Sequence, residues 1–246
     1  MIFTTIFKRY ELKYILTLKQ KEQLIKLSGQ YVRPDEFGRS TVRNIYFDTE
    51  NYRLIRNSLE RPAYKEKLRV RSYKTSSDDD TVFVELKKKY QSVVYKRRLA
   101  LPHSQAMYSL CRAGQVDTQT LGGYEDRQIA NEINYFMSFY QTLRPTAFIT
   151  YEREAFFADD RSDLRLTFDE NILHRSAEMS LAKEPWGNRI LKPGFSLLEI
   201  KSSGSMPLWL TRFLTQNNLY KTSFSKYGAA YQDLMLNNNE EVLLYA

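Results

Sequence analysis

The chain reads Y-K-E-K-L-R-V-R-S-Y over residues 64–73 and, after a polar turn, T-V-F-V-E-L-K-K over residues 81–88. Successive side chains of a β-strand alternate between its two faces, so each run has one charged face and one apolar face. The charged face of the first run carries four cations, Lys65, Lys67, Arg69 and Arg71. These cations repel one another unless an anion lies among them. The two strands therefore predict a surface that binds polyanions.

Composition is consistent with a folded basic protein. The chain has 246 residues, 42% of them apolar, and a formal net charge of +8, which favours a phosphate-rich partner or a membrane surface. Eighteen tyrosines and fourteen phenylalanines favour a sheet over a helical bundle. Cys111 is the single cysteine, so no internal disulfide forms. The N-terminus lacks the layout of a signal peptide, and we expect a cytoplasmic location.

The residue pattern divides the chain into strands and helices. Strand patterns cover residues 7–16, 41–48, 64–73, 81–88, 93–101, 145–157, 163–172 and 196–201. Helix patterns cover residues 18–28, 51–58, 104–113, 125–142, 206–217 and 225–237, the first with Thr17 as its N-cap. We expect a single domain over residues 1–246, with a mainly helical insertion at 102–144 and a tail at 238–246.

The charged strand faces admit two interpretations. If they point outward, the sheet has an ordinary solvated surface, which is the common arrangement for a single strand. If they point inward, eight mostly antiparallel strands enclose a wet, basic lumen. The inward arrangement is favoured because nearly every strand repeats the basic face and because the apolar stripes of the helices need a surface to cover. In that case Lys96 and Arg98 face the lumen with the cations of the first run.

A basic lumen needs anions, and condensed phosphates match it because arginine grips two oxygens while lysine acts as a movable charge. Glu11, Glu85 and Glu199 also fall on the charged faces. Carboxylates beside bound phosphates commonly hold Mg²⁺ or Mn²⁺. The alternative for Glu11 and Glu85 is pairing with neighbouring cations, whereas Glu199 favours a metal.

Other motifs carry little weight. The sequence has no G-x-x-x-x-G-K-[ST] and no H-E-x-x-H. Ser225 beside Lys226 suggests a serine–lysine nucleophile pair. A helix N-cap followed by a solvated lysine is the alternative, and it is favoured when these two residues are taken alone. Nucleic acid is not an expected partner, because the aromatic residues lie on the apolar faces rather than among the cations.

Eight motifs in order resemble the VTC polyphosphate polymerase domain of the triphosphate tunnel metalloenzyme superfamily. They are R-Y-E-L-K-Y (9–14), Y-F-D-T (46–49), K-L-R-V-R-S-Y (67–73), V-E-L-K-K-K (84–89), Y-E-R-E-A-F (151–156), R-L-T-F-D (165–169), L-E-I-K-S (198–202) and F-S-K-Y (224–227). The resemblance implies an α+β fold, an eight-stranded antiparallel tunnel flanked by helices. It also implies transfer of the ATP γ-phosphoryl group onto polyphosphate with Mn²⁺ or Mg²⁺.

The resemblance also assigns residues to roles. The positions that grip phosphates are Lys13, Arg69, Arg71, Lys87, Arg153, Arg165 and Lys201. Glu199 takes the metal position, and Tyr151, Ser225 and Lys226 take positions that contact terminal phosphates. Among these residues we assign the catalytic role to Lys226, Lys13 and Arg153.

Two departures from the family patterns keep alternatives open. Hydrolytic relatives begin with E-x-E-x-K, and Arg9 stands here in the first glutamate position, which weakens the hydrolase interpretation. Ser223 stands where the polymerase pattern has a basic residue. A tunnel triphosphatase and a binding module without turnover therefore remain alternatives. A membrane-protein partner, which would hold the protein at the inner face of a membrane, and the oligomeric state are left open.

Overall fold

Alternating charged and apolar residues form one antiparallel sheet in the computed structural model. The structure describes residues 10–91, 93–158 and 163–244, with side chains through residue 236. Its described strands are β1 (Tyr10–Thr17), β2 (Arg33–Pro34), β3 (Ser40–Asp48), β4 (Tyr64–Ser72), β5 (Thr81–Tyr90), β6 (Val93–Pro102), β7 (Arg144–Phe157), β8 (Arg165–Arg175), β9 (Asn188–Arg189) and β10 (Phe195–Ser202). The described helices are α1 (Leu18–Ser28), α2 (Arg53–Leu59), α3 (His103–Tyr108), α4 (Tyr124–Tyr140), α5 (Leu208–Gln216) and α6 (Lys226–Leu244), and a π-helical turn (Ser109–Ala113) follows α3.

The eight long strands follow the order β1-β10-β8-β7-β3-β4-β5-β6, with β2 added to β7 and β9 added to β8. The predicted eight-stranded antiparallel sheet flanked by helices is confirmed. Among the described residues, the edge strands β1 and β6 share no hydrogen-bonded pairing. Glu11 of β1 nevertheless reaches Lys87 of β5, with Oε2 and Nζ 3.5 Å apart. The sheet therefore curls far enough for its two ends to meet across the lumen.

The apolar outer faces of the strands are covered by helices. Leu68, Val70 and Leu86 are fully buried in a core that includes Ile133 and Phe136 of α4. Burying a side chain of this size contributes about 1.5–3 kcal/mol. A second core lies where β1, β8 and β10 pack under α1 and α5. With their apolar faces covered on the outside, the strands turn their charged faces inward, as predicted.

Helix α6 closes part of one end of the lumen with apolar side chains. Tyr227 and Ala230 are buried against inward-facing residues of β3, β7, β8 and β10. The ring of Tyr227 stacks on that of Tyr46, with the centroids 4.7 Å apart. Its hydroxyl donates to Oδ2 of the buried Asp48 at 2.9 Å. Asp48 also accepts backbone N–H groups at the start of α2. The two helices are therefore fixed together at this end.

The structure differs from the predicted elements mainly at their ends. Helix α6 continues through Leu244, so the tail predicted at 238–246 begins too early, because no proline or glycine interrupts the helix after Gly228. The two-residue strands β2 and β9 are too short to leave a periodic signal. Thr17 caps α1 as predicted, with reciprocal hydrogen bonds to Gln20. The predicted strand start at residue 7, and Arg9, lie outside the described residues. None of the described helices has the length and apolar content needed to cross a membrane.

Candidate active site in the lumen

Glu85 lies at the centre of one group of cations, here called the Glu85 cluster. Arg69 donates to Oε2 from Nε at 2.8 Å and from Nη2 at 2.6 Å. Arg98 makes the corresponding pair to Oε1, and Lys96 Nζ lies 2.7 Å from the same oxygen. Burial by itself would raise the pKa of Glu85, but the neighbouring charges, chiefly those of Arg69 and Arg71, hold it well below its usual range. These contacts match the alternative given for Glu85 from sequence, which is pairing with neighbouring cations rather than binding a metal.

Asp169 and Glu199 form a second group with Lys226 and Arg153, here called the Asp169–Glu199 cluster. Lys226 Nζ lies 2.5 Å from Asp169 Oδ2 and 3.1 Å from Glu199 Oε1. Arg153 grips Asp169 through Nε at 2.6 Å and Nη2 at 2.7 Å. Burial opposes the charge of Lys226, yet Asp169 and Glu199 raise its pKa above the usual range. The lysine that follows Ser225 is therefore a buried ammonium rather than a solvated one.

Tyr151 joins the two clusters. Its hydroxyl accepts a hydrogen bond from Arg71 Nη2 at 3.0 Å, and Lys226 Nζ lies 4.6 Å from the centre of its ring. Arg71 also donates to the buried Asn44 at 2.8 Å. Burial would raise the pKa of Tyr151, but Arg153, Arg71 and Lys226 lower it. The Tyr151 hydroxyl therefore lies in a strongly positive field that favours negatively charged oxygen.

Glu11 and Glu199 provide the carboxylate pair that fits a divalent cation. Both contact one ammonium, since Lys13 Nζ lies 3.3 Å from Glu11 Oε1 and 3.6 Å from Glu199 Oε1. A positive charge thus already lies between these oxygens, which are of the type that Mg²⁺ and Mn²⁺ prefer. The described residues hold no group of three or more metal-ligating side chains. The remaining ligands would be water and phosphate oxygens, the usual arrangement for Mg²⁺.

Lys67 occupies a different environment from the paired cations. Its Nζ lies 3.2 Å from Ser225 Oγ, immediately before α6. Burial and the nearby charges of Lys87, Lys13, Lys65 and Arg69 lower its pKa to about 7. The serine–lysine pair considered from sequence joins Ser225 to Lys226. The structure instead places Lys67 at the serine hydroxyl.

The remaining predicted residues lie nearer the solvent. Lys201 Nζ is 3.6 Å from Glu199 Oε2, and the side chain of Lys87 is 42% exposed beside Glu11. Arg165 lies at the rim, 52% exposed and 3.6 Å from Asp35. The other predicted residues thus lie along the lumen, whereas Arg165 contacts Asp35, which follows β2.

Sequence reasoning missed several residues that organise this lining. Asp169 received no role from the sequence beyond its place in the motif R-L-T-F-D, although it is fully buried between Arg153 and Lys226. Asn44 was missed because the apolar run at residues 41–48 leaves the facing of this strand ambiguous from sequence. Tyr46, which accepts from Arg69 Nη1 at 2.9 Å, was missed for the same reason. Asn44 lies opposite Arg71 and Tyr46 lies opposite Arg69 on the neighbouring strand, which places both side chains on the inner face. A single sequence does not reveal this strand register.

Solved structures share this architecture. A candidate adenylyl cyclase from Hippeastrum, described as having a dominant triphosphatase activity, aligns with a TM-score of 0.53 at 14% identity over 91% of this chain and 95% of its own. A candidate adenylate cyclase from Bacillus halodurans aligns with a TM-score of 0.52 at 14% identity over 90% and 96%. No curated protein sequence matches the chain. The sheet and its basic lumen define a protein of the triphosphate tunnel fold.

Within that fold class the family is also shown. The family model for the VTC domain matches residues 8–235, which is most of the chain. The protein belongs to the VTC domain family.

Proposed function

We propose that this protein is a polyphosphate polymerase-like phosphotransferase, which moves the γ-phosphoryl group of ATP onto a polyphosphate chain inside the lumen. The observation that carries the proposal is the excess of cations over carboxylates on the inward faces. Glu11, Glu85, Asp169 and Glu199 face many more lysines and arginines. A chain of phosphates supplies the missing negative charge along the whole lining.

Transfer of a phosphoryl group depends chiefly on positioning and on stabilising charge around a loose transition state. Arg69, Arg71 and Arg153 are held by fixed hydrogen bonds, so their guanidinium groups are ordered before substrate binds. Such preorganised donors stabilise developing charge at little cost in reorganisation. Lys13 and Lys226 would neutralise the transferred group and the leaving oxygen. Arg69 and Arg71 are thereby added to the catalytic residues predicted from sequence, which are Lys226, Lys13 and Arg153.

Glu11 and Glu199 would hold Mn²⁺ or Mg²⁺ in this proposal. When bound, the metal would supply positive charge that offsets the negative charge of the phosphate groups. Lys13, which contacts both carboxylates, would then turn its ammonium toward the substrate. Glu85 would instead keep Arg69, Lys96 and Arg98 in place, because its two oxygens are already engaged by cations.

A tunnel triphosphatase is the second candidate, favoured by the activity described for the Hippeastrum protein of the same fold. A binding module without turnover is the third. The three candidates differ in product. A polymerase converts ATP into long phosphate chains, a hydrolase releases orthophosphate from triphosphate or nucleotides, and a binding module retains triphosphate unchanged.

One assay separates these candidates. The purified chain is incubated with γ-labelled ATP and Mn²⁺, and label is measured in polymer, in free phosphate and in unreacted ATP. We expect polymer from the wild type, none from Lys226→Ala, and wild-type yield from Lys183→Ala, an exposed lysine paired with Glu178 outside the lumen. Orthophosphate without polymer would support the hydrolase. Tight triphosphate binding without any product, at every metal and pH tried, would support the binding module.

A further inference from the structure

Four lysines face one another on the inner side of β4 and β5. Lys65 lies directly opposite Lys89, and Lys67 lies directly opposite Lys87. We call these four residues the lysine square. Like charges directly opposite each other on neighbouring strands destabilise a sheet. The chain nevertheless places two such pairs side by side.

The lysine square has little negative charge to balance it. Among the described residues, its one ion pair is the 3.5 Å contact of Lys87 with Glu11. Lys65 Nζ contacts the carbonyl of Ser58, and Lys67 Nζ contacts the hydroxyl of Ser225. Burial and then Lys89 and Lys87 lower the pKa of Lys65.

The same strands do pair their outward cations. Lys88, which lies between two members of the square, has Glu132 of α4 3.8 Å away on the outer face. Arg97 of β6 donates to Glu132 at 2.9 Å. The Glu85 and Asp169–Glu199 clusters also contain carboxylates. These outward cations therefore have a carboxylate partner, whereas Lys65, Lys67 and Lys89 have none among the described residues.

The square lies near the end of the lumen that α2 and α6 cover, because Lys65 contacts Ser58 and Lys67 contacts Ser225. Ser58 belongs to the last turns of α2, and Ser225 immediately precedes α6. The apolar seal made by Tyr227 and Ala230 lies against the opposite strands, β3, β7, β8 and β10. The square therefore extends the basic lining from the Glu85 cluster along β4 and β5. This is the side of the lumen that Tyr227 and Ala230 do not cover.

We propose that the lysine square is a subsite for the part of a condensed phosphate chain that extends beyond the triphosphate held by the two clusters. Neighbouring members are about 7 Å apart along a strand and about 5 Å apart across strands. Several consecutive phosphates are needed to neutralise such an array, and a nucleotide triphosphate already bound at the clusters does not supply them. The inference rests on the proposed function, and it names a ligand longer than a triphosphate.

The test compares two ligands on one pair of variants. Calorimetric titration measures binding of tripolyphosphate and of long-chain polyphosphate to the wild type, to Lys65→Gln/Lys89→Gln, and to the matched control Lys74→Gln/Lys183→Gln. The control removes the same charge from exposed lysines paired with Asp80 and Glu178. We expect the first variant to lose about tenfold or more in long-chain affinity, with tripolyphosphate affinity kept within about twofold.

Thermal unfolding shows whether the variant is folded. Its Tm should equal or exceed that of the wild type, because the substitutions remove repulsion between like charges. Equal losses for both ligands, or a long-chain loss no larger than in the control, would overturn the inference. If the wild type binds tripolyphosphate but binds the long chain no more tightly, the inference fails alone. If it binds neither ligand, the proposed function fails with it.

Discussion

Lys226 Nζ lies 2.5 Å from Asp169 Oδ2, and both side chains are buried. Asp169 belongs to β8 and Lys226 begins α6, so this ion pair fixes the helix to the wall of the lumen. The same ammonium contacts Glu199 at 3.1 Å. The stability of α6 and the charge balance of the candidate active site therefore depend on the same residue.

We expect Lys226→Met to destabilise the protein and to abolish turnover. Removing the ammonium breaks a buried ion pair, a change that typically costs about 3–5 kcal/mol. We expect a loss at the lower end of this range, because Arg153 still contacts Asp169 and Lys13 and Lys201 still lie near Glu199. Urea unfolding measures the loss, and the ATP assay measures turnover. Adding Asp169→Asn should restore part of the stability, because one of the two charges is then removed, without restoring turnover. Full activity in Lys226→Met would contradict the assignment.

Glu85→Gln separates the pairing role of Glu85 from a metal role. The substitution leaves Arg69, Arg98 and Lys96 around a neutral amide, so we expect a clear loss of stability in thermal unfolding. Added tripolyphosphate should raise the Tm of the variant by more than that of the wild type, because the anion replaces the lost charge. Mn²⁺ affinity measured by calorimetry should change little. A large loss of Mn²⁺ affinity would show that Glu85 is a ligand.

Glu11→Gln and Glu199→Gln should each weaken Mn²⁺ binding in the presence of tripolyphosphate. Each removes one of the two carboxylates proposed to hold the metal, and we expect losses of about tenfold or more. Glu132→Gln is the matched control, because Glu132 pairs with Lys88 and Arg97 on the outer face. Calorimetric titration with Mn²⁺ provides the measurement. Unchanged Mn²⁺ affinity in both lumen variants would show that Glu11 and Glu199 do not bind the metal.

The pKa of Lys67 predicts how phosphate binding depends on pH. Its folded-state pKa is about 7, below its ordinary value, because of burial and neighbouring cations. Between these two values the unfolded chain binds a proton that the folded chain does not, so this group makes the free protein more stable as pH rises. Bound phosphate favours the charged lysine, and the affinity for long-chain polyphosphate should therefore fall as pH rises from 7 to 9.

Calorimetry in buffers of different ionisation enthalpy checks this dependence. The wild type should take up protons when it binds long-chain polyphosphate at pH 8, and Lys67→Gln should take up fewer. Lys96, whose pKa is lowered to about 8 mainly by burial, contributes to the same uptake. The control Lys74→Gln should leave the uptake unchanged. Equal proton uptake in Lys67→Gln and the wild type would mean that Lys67 does not titrate on binding.

Much of this architecture follows from local pattern. Alternation along residues 64–73 and 81–88 predicts both the strands and their charged faces, because side-chain direction in a strand depends only on residue parity. The amphipathic helices identify what covers the apolar faces. The pattern could not indicate that Asp169 is enclosed by Arg153 and Lys226, since these residues lie on three elements that meet only after the sheet has curled.

By itself, the sequence determined that this protein is a basic, β-rich chain whose strands carry their cations on one face, because periodicity and composition are local properties. Only the tertiary structure decided which cations have a carboxylate partner. Ion pairing depends on distances of a few ångströms between residues far apart in the chain, and strand register and the path of α6 set those distances. Lysines occur both in the lysine square and in the two carboxylate clusters, and only the packed surroundings decide which of these lysines have a carboxylate partner.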